Sequence, residues 1–286
     1  MSVIKDITIP KRVGEKPNYK FHIERYDSAD EMVANLKTRT NTSTYFYDMP
    51  RKVKSDPSWY GVESYEQALE FMRTGYQPTV EKFKGSIKQM QKASVGASKR
   101  ISFQNNIQGF APVVPLALKG VPNSMIDMRM TPIKCKVIDV YYDMIVNSGT
   151  STETIIENGQ KVLGAIMALE MQGYKFNLYA VQSYSDNKDC DMLVVKVKNS
   201  AQPLDLKRIS FPLTHPAFFR VLGFDWYGKF EGARYRTGYG HYVGCEFRDT
   251  DRMATEVFGK GAIYFSAGRM THQNEDNIKE VLKNAK

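Results

Sequence analysis

Three cysteines, four histidines and two tryptophans in 286 residues leave little material for covalent cross-links or metal centres. Cys135, Cys190 and Cys245 are odd in number and far apart, which argues against a disulfide framework and for reduced thiols in a reducing compartment. His22, His215, His241 and His272 are dispersed, and His241 with Cys245 is a lone pair, short of the four ligands of a closed zinc site. There is no P-loop, no GxSxG elbow, no HExxH and no EF-hand loop. Gly238-Tyr239-Gly240 does not precede a long helix, so a dinucleotide fingerprint is missing too. No run of eighteen apolar residues suggests a membrane span, and the opening MSVIKDITIP lacks a signal peptide's apolar core. The expectation is a protein of the cell interior that contacts no membrane, carries no cofactor and has no catalytic constellation.

What is present is an ordinary globular composition, 42% apolar and 25% charged, with a charge excess concentrated in one place. Of the net +9, residues 73–104 hold +6: Arg73, Lys82, Lys84, Lys88, Lys92, Lys99 and Arg100 against Glu81 alone. Residues 1–72 and 105–200 are each balanced, and residues 201–286 carry +3. A local excess of this kind is the electrostatic footprint expected for a polyanion. Within it a helix is expected from about Pro78, with Val80, Phe83, Ile87 and Met90 on one face and Lys84, Lys88 and Lys92 on another. The candidate nucleic-acid contacts are Lys82, Lys84, Lys88, Lys92, Lys99 and Arg100.

Residues 134–198 read as one strand–helix–strand–strand unit. Residues 136–146 (KVIDVYYDMIV) are β-branched and aromatic, as in a strand packed on both faces. After a polar break, Thr154 and Glu157 have capping-box spacing, and Ile155, Val162, Leu163, Ile166 and Leu169 form a helical stripe that Gly173 ends. Strands over 174–182 and 192–198 follow. This predicts an α/β fold with a mostly parallel central sheet and flanking helices, the first two strands of the unit being parallel. Ahead of it comes a small N-terminal helical basic module, residues 1–108, with the α/β core at 109–286. In the module, Ser64 and Gln67 cap a short helix that Gly75 stops. Residues 109–122 (GFAPVVPLALKGVP), broken by three prolines and two glycines, read as a buried connector. Residues 209–213 read as a further strand, 217–222 as a short helical segment and 275–285 as a terminal helix.

An open α/β sheet places ligands where strand ends meet helix N-termini, which nominates Asp143, Asn147, Ser148, Ser151 and Thr152. The competing reading is a capped turn, since Ser, Thr and Asn serve there for capping alone. Arg220 could hold a phosphate or carboxylate, or pair with an acid at a core edge. Trp226, Tyr227, Phe230, Tyr235, Tyr239 and Tyr242 interleave with Lys229, Arg234, Arg236 and Arg248, which suits either core packing or single-strand stacking.

Two segments carry a resemblance: Trp59-Tyr60-Gly61 with Ser64-Tyr65-Glu66-Gln67-Ala68-Leu69 and Gly75, and the α/β unit running into Phe211-Pro212-Leu213-Thr214-His215-Pro216-Ala217-Phe218-Phe219-Arg220. They resemble an uncharacterised family of bacteriophage and mobile-element proteins whose central part is similar to von Willebrand factor A-like domains. The resemblance spans most of residues 59–245 and implies a phage or mobile-element origin and a binding role. The Asp-x-Ser-x-Ser metal pattern of such domains is replaced here by Asp143-Met144-Ile145-Val146-Asn147-Ser148-Gly149, so no metal is expected at that turn. The expected function is binding of nucleic acid or a nucleoprotein assembly through the basic helix, in the host cytoplasm or in a virion. The alternative is a von Willebrand A-like protein-binding platform or virion component, with other phage proteins as partners.

Overall fold

The β-branched and aromatic run Val137–Asp143 lies inside a sheet covered on both faces, and the rest of the chain is arranged around it. A computed structural model describes residues 2–8, 18–40, 48–82, 99–132, 137–147, 149–186, 189–230, 250–272 and 275–284. In chain order these form β1 (Ser2–Thr8), β2 (Asn18–Tyr26), α1 (Ala29–Thr38), α2 (Met49–Ser55), α3 (Pro57–Tyr60), α4 (Tyr65–Thr74) and α5 (Gln77–Lys82). A second group follows: β3 (Lys99–Asn106), β4 (Ala111–Pro112), α6 (Val114–Leu118) and β5 (Met125–Pro132). Then come β6 (Val137–Asp143), α7 (Thr152–Met171), β7 (Lys175–Asp186), β8 (Asp189–Lys198), α8 (Leu206–Thr214), a π-helical turn Phe218–Gly223 and α9 (Phe224–Lys229). The chain closes with α10 (Thr250–Phe258), β9 (Ile263–Ser266), a 3-10 turn Ala267–His272 and α11 (Glu275–Lys283).

The central sheet has the order β1-β2-β8-β7-β6-β9. The pairings β2–β8, β7–β6 and β6–β9 are parallel, and β1–β2 and β7–β8 are antiparallel. The fold is α/β, with the expected parallel relation of β6 and β7 around α7. Side chains alternate along β6: Ile138, Val140 and Tyr142 enter the larger core beneath the helices, while Tyr141 joins Phe21, Val181, Met192 and Tyr264 on the opposite face. The helix starts three residues earlier than the capping-box spacing suggests, because Ser151 is the cap: its Oγ accepts from Thr154 N at 3.2 Å. Gly173, at φ +94°, ends it as expected. The Ser64 cap also holds, accepting from Gln67 N at 3.1 Å, and the Gln67 amide oxygen accepts from Glu63 N at 2.7 Å.

Three sequence expectations need correcting. The boundary between residues 108 and 109 does not mark two units. β2 is hydrogen-bonded along β8, and Met32, Leu36 and Leu69 share one core with Ile138 and Leu178. Buried Glu24 reinforces this, accepting from Arg39 and, at 2.8 Å, from Trp226 Nε1. Residues 209–213 are helical: Asp205 caps α8 by accepting from Lys207 N at 3.1 Å and Arg208 N at 3.3 Å, and the apolar run is buried on every side. Pro212, which has no N–H for a central-strand ladder, is carried inside this helix. Residues 109–122 are a surface segment, with β4 and α6 both half-buried or exposed.

β3, β5 and β4 form a separate antiparallel sheet in that order. None of its described side chains between residues 102 and 129 is buried. Among the described side chains it therefore shows no core of its own. Its integrity rests on backbone ladders and on contacts such as Phe110 N to Ile126 O at 2.9 Å and Val113 N to Ser124 O at 2.6 Å. Gly109 is needed there, because a Cβ would come within 2.1 Å of the Ile126 carbonyl oxygen.

Candidate nucleic-acid interface and a sealed carboxyl centre

The basic segment begins on the core and ends on the small sheet. At its start, half-buried Val80 packs against the main core and Thr79 is buried, its hydroxyl 3.0 Å from that of Thr214 on α8. Lys82 is the last residue of α5. At its end, Lys99 and Arg100 are the first residues of β3, in register with Pro132 and Thr131. Lys84, Lys88 and Lys92, and the apolar Phe83, Ile87 and Met90, lie outside the described residues.

Directly after Arg100 the sheet exposes apolar surface that the sequence reading did not single out. Phe103 is 65% exposed and Phe110 67% exposed, their ring centroids 6.2 Å apart in an edge-to-face arrangement. Met128, the register partner of Phe103, is exposed as well. The other face is polar: Arg129 Nε donates to Asp127 at 3.4 Å, and Asn106 Nδ2 donates to the same carboxylate at 3.3 Å. On α6 and just beyond it, Val114, Leu118 and Val121 are exposed, Leu118 to 84%. The signal available in the sequence was the single aromatic residue in KRISFQNN, where the other residues are polar except Ile101.

Of the described strand-end candidates, only Asp143 turns inward. Asp143 closes β6 and is fully buried. Its carboxylate accepts from the hydroxyls of Ser183 and Tyr264, and from Ile145 N at 3.2 Å. Burial pushes its pKa up to about 7, against the lowering effect of those bonds. Asn147 is exposed and its carbonyl closes a turn with Thr150 N at 2.9 Å, while Ser151 is occupied as the helix cap. Ser148 lies outside the described residues. Here the capped-turn reading fits, and no group of three or more metal-ligating side chains occurs among the described residues.

Arg220, at 2% exposure, is a strut rather than an anion trap. Its guanidinium donates to Trp59 O at 2.6 Å, Thr152 Oγ1 at 3.1 Å and Thr150 O at 2.8 Å, and lies 4.5 Å above the Trp59 ring. The structural role expected of it holds, but through two carbonyl oxygens and a hydroxyl rather than an acid. His215 sits among Phe71, Tyr76 and Phe211, and its Nδ1 accepts from Ala217 N at 3.2 Å. Burial pushes its pKa down to about 4, so it is neutral at physiological pH. Trp226, Tyr227 and Phe230 are core residues, with Tyr227 stacked on Tyr184 at 4.2 Å. The remaining aromatic and basic residues of that stretch, from Arg234 to Arg248, lie outside the described residues, as do His241 and Cys245.

A family model for a domain of unknown function, DUF7192, matches residues 10–286. The chain belongs to the DUF7192 family. No curated protein and no solved structure matches it. Membership in the DUF7192 family brings no assigned chemistry, so function rests on the surfaces just described. Among the described residues no helix is long and apolar enough to cross a membrane.

Proposed function

We propose that this DUF7192 protein is a non-enzymatic binding protein of a phage or mobile element, acting on nucleic acid or a nucleoprotein assembly in the host cytoplasm or the virion. The contacts are Lys82, Lys84, Lys88, Lys92, Lys99 and Arg100. The observation that carries this reading is the concentration of +6 of the chain's +9 in residues 73–104. Supporting it, that segment is tied at one end to a packed core and at the other to a sheet whose described side chains are all accessible. Lysines four apart on a helix rise about 6 Å per step, a spacing that suits consecutive phosphates. The sealed surroundings of Asp143, His215 and Arg220 leave these three groups without the accessible nucleophile–base geometry an enzyme needs.

A salt titration of DNA or RNA binding tests it. Affinity should fall steeply with salt, and a Lys84/Lys88/Lys92→Gln triple variant should flatten the log–log slope by about 2 to 3. Absence of binding at low salt would remove nucleic acid as the partner. A second reading, a protein-binding platform or virion component, is favoured by exposed Val114, Leu118 and Val121, which are aliphatic and offer no stacking.

A further inference from the structure

We propose that Phe103 and Phe110 form a base-stacking platform that makes the interface selective for single-stranded nucleic acid. This rests on the reading that residues 73–104 bind a polyanion. A small sheet with no buried side chain between residues 102 and 129 gains little for its own stability from two aromatic rings that touch mainly each other on its surface. Both rings are about two-thirds exposed, on the same side of the sheet, and adjacent to one another. Charge complementarity decides the occupant. Lys99 precedes Phe103 by four residues on the same strand, an even spacing of about 13 Å at strand rise, and with Arg100 it ends the most basic segment of the chain. Cations that track a backbone beside aromatic faces that take unpaired bases are the two components of sequence-tolerant single-strand binding. A duplex keeps its bases stacked within itself and cannot use the rings. A second copy of this chain would bring the same +9 against the patch, which disfavours self-association there.

The test uses the full-length protein and a fluorescein-labelled oligothymidylate of about 20 nucleotides, with a duplex of the same length for comparison, read by anisotropy across a salt series. Wild type should bind the single strand more tightly than the duplex. Phe103→Ala and Phe110→Ala should each weaken single-strand binding about tenfold, with the salt slope unchanged, because stacking releases no counterions. Phe103→Tyr should keep the affinity and Phe103→Leu should lose it, whereas a merely apolar contact would tolerate Leu. Unchanged melting temperatures would show that the variants fold. If wild type binds the oligonucleotide but the ring variants match it, or if duplex binds equally well, the platform is wrong while the polyanion reading survives. Binding of neither probe overturns both. Self-association abolished by Phe103→Ala, with oligonucleotide affinity untouched, would assign the patch to a second copy and also overturn the platform.

Discussion

The central sheet and the small sheet solve opposite problems. Around β6 even polar groups are enclosed: Asp143 is held by Ser183, Tyr264 and a backbone N–H, and Arg220 gives its two terminal nitrogens to three oxygens of the chain itself. In the β3–β5–β4 sheet the reverse holds, and even phenylalanines face solvent. Chemically suggestive residues at strand ends are therefore no guide to a site when their hydrogen bonds are already closed. Apolar side chains left mostly exposed are the better guide, because folding alone gives little reason to keep them.

The comparison is sharpened most by titrating Asp143. Its folded pKa of about 7 lies above the ordinary value of 3.8, so the native state holds a proton that the unfolded chain releases between about pH 4 and 7. The resulting stability is fully present below pH 4 and is lost as pH rises through 7. Relative to Asp143→Asn, the wild type should lose roughly 4 kcal/mol between pH 4 and pH 8, seen as converging or crossing urea midpoints. A constant difference across that range would mean the carboxyl is not buried as described.

Gly159→Ala comes next. A Cβ there would lie 1.9 Å from the Leu213 carbonyl oxygen, where α7 and α8 touch, and chemical denaturation should register a loss of about 3 kcal/mol. His215 titrates with the opposite sign to Asp143. Its folded pKa near 4 is below the ordinary 6.5, so stability is present above about pH 6.5 and lost as pH falls toward 4. Against a His215→Gln variant the wild type should lose up to roughly 3 kcal/mol over that window. The smallest effect belongs to the small sheet. Phe103→Ala, in an exposed position, should change stability by no more than about 0.5 kcal/mol. A large loss there would show that the ring is part of a core after all.

Much of the fold was legible because its signals are local. The β6–α7–β7–β8 unit follows from residue type, a helical stripe and Gly173, and α11 from its own amphipathic pattern. Long-range pairing was not legible. The ladder of Phe21 and Ile23 against Cys190 and Met192 joins residues about 170 apart, and no window of sequence contains both halves. That is why the first 108 residues read as a module. The run at 209–213 misled because a short apolar stretch buried on all sides has no period to distinguish strand from helix. At the site, the basic segment was visible as charge, but the exposure of Phe103 and Phe110 was not. Apolar residues in the GFAPVVPLALKGVP stretch look like core until the fold places Phe110, Val114, Leu118 and Val121 at the surface.

Hydrogen exchange with and without bound oligothymidylate tests the contrast between the two regions most directly. The account predicts protection confined to residues 73–132, with the amides of β6, α7 and the loop joining them unchanged. Protection centred on residues 137–230, with the 73–132 peptides unaffected, would contradict it.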